Sequence, residues 1–479
     1  MKTYLGLLGL LGLLAGCTEV GPDYRLPQQA AWREPTASAA FQAAGAADFA
    51  TAPVPDGWWR LYRDAQLDSL VQQALAANTD LRQSSANLRK ALALEASVAA
   101  DANPHATLEA DAQRGQAPLE ASQVGVRPPV IDDGGLGLSI GYEVDLFGKL
   151  ARAEEAAHAD AQASAAAEDL VRVTVVAQTV RAYVQGCSAT RQLNVTQRQL
   201  DLQARSAEVT QRLATAGRGS PADVERARAQ EETLRASLPQ FSANRDAARY
   251  RLAALLGRTP AQLPAASLAC SEEPRLDQPI PVGEGADLLR RRPDIRQAER
   301  QLAGMTARIG VATAQLYPSV TLGASAGLAG RFGEIGESSA KHWSLGSLIS
   351  WNIPDSGARA RVKAAEADSE AALARFDGVV LEALRETETA LTFYARELQR
   401  NQALRAAREH AQQAARDSER LYGAGRLPYL ASLDANRTLA DSEAALAASD
   451  ARVAQDQVDL FLALGGGWSG QAAVTAEAR

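Results

Sequence analysis

The side chains best placed for chemistry in this 479-residue sequence are its three thiols. Cys17 follows Lys2, an apolar run over residues 5–14 and the small pair Ala15-Gly16, so cleavage before it leaves a cysteine as the first residue. Cys187 and Cys270 stand far apart in a chain that this leader would export, where a disulfide is permitted. A Cys187–Cys270 bond and two buried thiols both fit that pattern. Elsewhere chemistry is sparse. His105, His158, His342 and His410 share no metal-ligand spacing, and neither H-E-x-x-H nor a paired-cysteine zinc pattern occurs. Gly465-Gly466-Gly467 lacks the Lys and Ser or Thr of a phosphate loop. These residues predict no enzyme, no metal site and no cofactor other than a group attached covalently at Cys17.

Composition narrows the partners. A formal charge of -7 and a pI near 5.4 leave no basic footprint for nucleic acid. Aromatic residues are only 5% of the chain, and the middle and C-terminal stretches are dominated by Ala, Arg, Glu, Gln and Leu. That is the mix of long packed helices rather than a thick globular core. The leader is too short to cross a bilayer, which takes roughly 20 apolar residues, so residues 1–16 read as a signal peptide. Its ending, Leu14-Ala15-Gly16-Cys17, resembles the lipobox of bacterial lipoproteins, in which the thiol is acylated. Thr18 is not the Asp that tends to mark retention at the inner membrane, which favours the outer membrane. Residues 17–57, rich in Pro, Ala and Gly, form an extended lead-in from that lipid.

From Trp58 onward the chain repeats itself. Leu81-Arg82-Gln83 and Ile295-Arg296-Gln297 open matching helices, each followed by a breaker at Pro104 or Pro318 and a strand-like run. Arg212-Leu213 with Ala216-Gly217-Arg218 is matched by Arg420-Leu421 with Ala424-Gly425-Arg426, and Leu256-Gly257 by Leu464-Gly465. These ordered landmarks, each pair about 210 residues apart, mark a duplication. Residues 58–259 are the first repeat, 260–282 a Pro-rich linker, 283–467 the second repeat and 468–479 a tail. Each repeat reads as helix, strand, strand, very long helix, turn, long helix. The strands fall near 105–114, 135–147, 318–329 and 342–353. The long helices cover 150–215, 221–256, 356–422 and 428–464. In the second repeat Leu373, Phe376, Val380, Ala383, Thr387, Leu391, Tyr394 and Leu398 step by three and four. A stripe on a helix of about 95 Å must lie against a neighbouring helix along its length. A solvated coiled coil has the same signature.

The strands weigh against a coiled coil. Leu136, Leu138, Ile140, Tyr142, Val144 and Leu146 alternate with Gly137, Ser139, Gly141, Glu143 and Asp145. Val320, Leu322, Ala324, Ala326 and Leu328 repeat the alternation, and Trp343, Leu345, Ile349, Trp351 and Ile353 share a face opposite Ser344, Ser350 and Asn352. Apolar-out, polar-in strands of about ten residues suit an outer-membrane barrel, and half-exposed strands of a soluble sheet are the alternative. Trp343 and Trp351 would sit about 20 Å apart along the membrane normal, as two aromatic girdles do. Four strands are too few to close a barrel, and an open edge in lipid leaves backbone groups unpaired. The chain must then oligomerise in a closed ring.

Further residues carry a family likeness over nearly the whole mature chain. They are Cys17 followed by Gly21-Pro22-Asp23-Tyr24, Trp58-Trp59 with Leu61-Tyr62, Asp145-Leu146-Phe147-Gly148 and Arg291-Arg292-Pro293-Asp294-Ile295. Ile309-Gly310-Val311-Ala312 leading to Tyr317-Pro318, and the closing Leu464-Gly465-Gly466-Gly467-Trp468, complete the set. Together they resemble the TolC and OprM family of outer-membrane efflux proteins, most closely its OprM/NodT lipoprotein branch. The resemblance implies a mainly α fold with transmembrane β: a homotrimer pooling its strands into a twelve-stranded barrel, continued by a long periplasmic α-helical barrel. It implies a passive conduit in the bacterial outer membrane, fed by a resistance-nodulation-division (RND) pump through a periplasmic adaptor, the membrane fusion protein. A secretion conduit for polypeptides and a pore-less periplasmic scaffold are the alternatives.

The resemblance also places a closing constriction at the periplasmic turns, here 216–222 and 423–429. Leu430, Asp434 and Arg437 fall where the family has a hydrophobic ring and a charged network. Three copies of Asp434 about an axis would make a negative ring, held by Arg partners or made to repel. The plain alternative is a solvated i, i+3 pair worth a few tenths of a kcal/mol.

Overall fold

The computed structural model describes residues 19–45, 48–116, 118, 126–264, 270–276, 278–353 and 357–466. Cys17, the leader before it and the 468–479 tail lie outside the described residues. The chain divides into two compact units, one built from residues 19–27, 87–165 and 297–376, the other from 28–86, 166–296 and 377–466.

Both repeats follow one plan, and its opening departs from the sequence expectation. Each opens with two helices rather than one: α1 (Ala65–Ala77) and α2 (Thr79–Ala100), then α5 (Gly285–Arg291) and α6 (Pro293–Ala314). At the first break Asn78 is extended, and its Oδ1 accepts from the backbone N–H of Asp80 at 2.9 Å and of Leu81 at 3.1 Å, capping α2. At the second, Arg292 precedes Pro293, whose ring disfavours a helical backbone before it. The long helices are α3 (Lys149–Thr215), α4 (Pro221–Leu255), α7 (Ala358–Gly423) and α8 (Tyr429–Ala463). Both hairpin turns close in one way. Arg218 N–H bonds to Leu213 O and Gly217 N–H to Ala214 O; Arg426 N–H bonds to Leu421 O and Gly425 N–H to Tyr422 O. Gly217 and Gly425 take the positive φ that this C-terminal turn requires.

The first unit holds a four-stranded antiparallel sheet of β2 (His105–Gly115), β3 (Ile131–Val144), β5 (Ser319–Arg331) and β6 (Lys341–Ser350), in that order. The strand expected at 135–147 runs from Ile131 to Val144, and the one expected at 342–353 ends at Ser350. Leu146 N–H bonds back to Val144 O at 2.9 Å, and Asp145 Oδ2 accepts from Ala151 N–H at 2.8 Å, so residues 145–147 serve the start of α3. Beside the sheet's base the lead-in is strapped down. Val20 N–H bonds to Phe147 O, and the 4%-exposed Arg152 side chain meets Asp23 at 2.7 Å and Glu155 at 2.7 Å. A Cβ on Gly21 would stand 2.4 Å from Gly310 Cα, so this crossing admits only glycine.

The second unit carries the main apolar core. Trp58 stacks on Phe461 at 4.5 Å, and Leu67, Val71, Val180, Tyr183, Leu252, Leu391 and Val458 are buried around it. Tyr62 Oη and Tyr394 Oη share the Gln457 amide at 3.2 Å each, satisfying polar groups inside the core. A two-residue parallel ladder, β1 (Phe49–Ala50) with β4 (Ile280–Pro281), brings lead-in and linker together. The α7 stripe is buried where the three-four spacing puts it, at Phe376, Val380, Ala383, Thr387 and Leu391.

Candidate functional site

The sheet presents two faces of opposite character. Ladder pairs His105↔Gly141↔Gly323↔Gly346, Thr107↔Ser139↔Ser325↔Ser344 and Glu109↔Gly137↔Gly327↔His342 put glycine, hydroxyl and charged residues on one face. The other carries Leu108, Leu136, Leu138, Ile140, Leu322, Trp343, Leu345 and Ile349, all of them exposed. Trp343 is 80% and Leu345 79% exposed, the reverse of a soluble sheet, where such side chains face the core. Among the described residues β2 and β6 are both edges of this sheet, their outer N–H and C=O groups unpaired in the ladder. Trp343 lies within β6. Trp351 lies one residue beyond it on the same alternation, with its indole N–H donating to Leu316 O at 3.1 Å.

At the tip of the second hairpin Leu430 is 53% exposed, and Asp434 and Arg437 are exposed as well. Among the described residues neither charged side chain has an ion-pair partner, so the i, i+3 pair does not form within one chain. Asn436 Nδ2 donates to Ser432 O at 3.0 Å, and the Tyr422 and Tyr429 rings meet at 5.0 Å across the turn. α8 starts after Pro428 with no side-chain cap, whereas α4 starts on a Ser220–Asp223 capping box.

The sequence reading missed a buried charge cluster in the second unit. Asp450 accepts from Arg191 Nη2 at 2.6 Å, Arg405 Nη2 at 2.8 Å and Asn401 Nδ2 at 2.8 Å, with Arg275 at 3.6 Å. Arg191 also holds Glu273 at 2.8 Å. A signal was present: Asp450 interrupts an otherwise apolar helical face of Ala447, Ala451, Ala454 and Val458, where a charge is retained only if paired. Near the second break, Arg292 donates to both Asp294 oxygens at 3.0 and 2.7 Å, to Glu386 at 2.8 Å and to Ala463 O at 2.9 Å. Asp456, whose side chain is 5% exposed, meets Arg452 at 3.0 Å, and burial pushes its carboxyl up to about 6. Cys187 and Cys270 are joined by a disulfide, with Cα atoms 5.3 Å apart. No group of three or more His, Cys, Asp or Glu able to hold a metal occurs among the described residues.

Comparison with known proteins converges with this geometry. The family model described as outer membrane efflux protein matches residues 70–258 and 286–466, the two repeats. Nodulation protein T of Rhizobium leguminosarum bv. trifolii is 31% identical over 460 residues, spanning 95% of this chain and 96% of that one. Outer membrane protein OprJ of Pseudomonas aeruginosa is 31% identical over 470 residues, covering 96% and 95%. The solved outer-membrane channel OprN superposes with a TM-score of 0.85 at 37% identity, over 94% of this chain and 99% of that one.

Proposed function

This chain belongs to the outer membrane efflux protein family, and from that membership we propose how its two exposed surfaces work. It is the outer-membrane channel component of an efflux system. Three copies pool their sheets into one barrel, each β6 edge pairing with the β2 edge of the next copy. The feature that carries this reading is the inverted sheet, whose large apolar side chains face outward while its two edges lie open. Lipid would take up the apolar face, with Trp343 and Trp351 at the headgroup levels, and ring closure would pair the edges. The polar face then lines the passage. Small molecules reach it from an RND-type inner-membrane pump through a periplasmic adaptor, and the chain performs no catalysis of its own.

The aperture is formed by Leu430, Asp434 and Arg437 of all three copies. That neither Asp434 nor Arg437 has an ion-pair partner among the described residues supports this, because charges left unpaired by their own helix are available to a neighbouring subunit. Cys17 carries the lipid, which the barrel makes secondary to membrane attachment.

Planar-bilayer recording tests the whole scheme. The purified protein should run as a heat-modifiable trimer and give discrete ion currents, and Asp434→Ala and Arg437→Ala should raise the resting current. Absence of both trimers and currents would reduce the protein to a scaffold. Unchanged currents in the two variants would discard the aperture alone. Cys17→Ala behind a cleavable signal should still fractionate with the outer membrane.

A further inference from the structure

The linker is fastened to the second unit at two neighbouring turns of α3. Cys187 is fully buried there and bonded to Cys270, which is only partly buried. One turn further along α3, Arg191 takes Glu273 of the linker at 2.8 Å and Asp450 of α8 at 2.6 Å. Arg275 of the linker reaches the same Asp450 at 3.6 Å. The docking carries a cost. The Glu273 side chain is 2% exposed, and its Oε1 has no hydrogen-bond partner among the described residues; neither has Ser188 Oγ beside Cys187. A carboxylate oxygen stripped of water and left unmatched favours release of the segment that carries it. Asp450, by contrast, keeps Arg191, Arg405 and Asn401 without the linker.

We infer that the Cys187–Cys270 bond and the Glu273–Arg191–Asp450 cluster form a redox-controlled clasp, in which the disulfide holds the linker in a position its charges alone do not favour. Opening it is a two-electron exchange with a dithiol. A thiolate attacks Sγ of Cys270, the less buried residue of the two, and Cys187 leaves and takes up a proton. The second thiol of the reductant then displaces Cys270, which is protonated in turn, while the reductant becomes a disulfide. With both thiols formed, Glu273 and Arg275 withdraw into water and the α8 segment around Asp450 loses its outer cover. The inference is independent of the conduit reading.

Hydrogen exchange of the full-length protein in detergent, oxidised and then treated with dithiothreitol, reads it directly. Reduction should speed exchange at least ten-fold in peptides covering 270–276 and 446–454, leave the strand peptides of β3 and β5 unchanged, and reverse on reoxidation. Cys270→Ser should reproduce the reduced pattern without reductant; if that variant does not fold, reduction of the purified native chain still decides. Exchange within two-fold of the oxidised protein over 270–276 would overturn the clasp, since the charges would then hold the linker unaided. Acceleration spread evenly over the strands as well would also overturn it, by making the disulfide a general staple.

Discussion

At residue 78 and again at residue 292 the chain leaves one helix for the next, and each break closes on the last carbonyls of its repeat's returning helix. In the first repeat the closure is neutral: Asn78 Nδ2 donates to Leu255 O at 3.1 Å. In the second it is ionic. Arg292 donates to Ala463 O while held by Asp294 and Glu386, and Arg291 Nε donates to Leu464 O at 3.0 Å. The glycines that follow match as well, Gly257 at φ +65° and Gly465 at φ +83°. Duplication thus preserved a backbone joint and let the side chains that satisfy it diverge. What the joint requires is a buried donor for an orphan helix-end carbonyl, and an amide or a guanidinium serves.

Removing each donor should break the equivalence most sharply. Arg292→Ala strands Asp294 and Glu386 around a lost buried charge and should cost about 3–5 kcal/mol. Asn78→Ala loses a neutral bond and a helix cap and should cost about 1–3 kcal/mol. Urea midpoints of the detergent-solubilised variants compare them, and equal losses would show that the charge adds nothing. Backbone substitutions should reverse the ranking. A Cβ on Gly257 would meet Ala77 O at 2.6 Å, whereas one on Gly465 meets the Arg292 side chain at 3.1 Å. Gly465→Ala should cost about 1–2 kcal/mol for its left-handed backbone, and Gly257→Ala more, read by the same midpoints. The smallest effect concerns pH. Asp456 lines the cavity of about 540 Å³ that also holds Arg292 and Asp294, and buried Ala248 stands at the corresponding place in the first repeat. With its carboxyl near 6 in the fold against 3.8 unfolded, the native state holds more protons between those values, so this group's contribution falls as pH rises through that window. Asp456→Asn should therefore raise the thermal midpoint at pH 7.5 by an amount worth about 1–2 kcal/mol, and the gain should vanish near pH 4. A gain that persists at pH 4 would assign the effect to packing.

The repeat was legible because its landmarks are glycines and prolines whose backbone roles survive divergence, such as Gly217 with Gly425 and Gly257 with Gly465. The strands were legible from alternation, since period two holds wherever a sheet separates two environments. The joints were not read, although Pro293 after Arg292 and Asn78 before Thr79-Asp80 are both helix-boundary signals. Residues 291–295 carry the family likeness as a motif, and the helix boundary inside that motif is set locally by Pro293. The Asp450 cluster gathers residues from α3, the linker, α7 and α8, and periodicity along one helix cannot show which distant arginines arrive. Leu430, Asp434 and Arg437 were placed by likeness alone, and among the described residues Asp434 and Arg437 have no ion-pair partner to read.

The ladder row Gly141↔Gly323↔Gly346 leaves three adjacent strands bare at one level of the polar face, beside the ring of His105. In the proposed barrel a solute passing there would meet peptide groups on three strands and the His105 imidazole on the fourth. Peptide groups offer every visitor the same donors and acceptors, so in that barrel discrimination at this level would fall to one imidazole per copy.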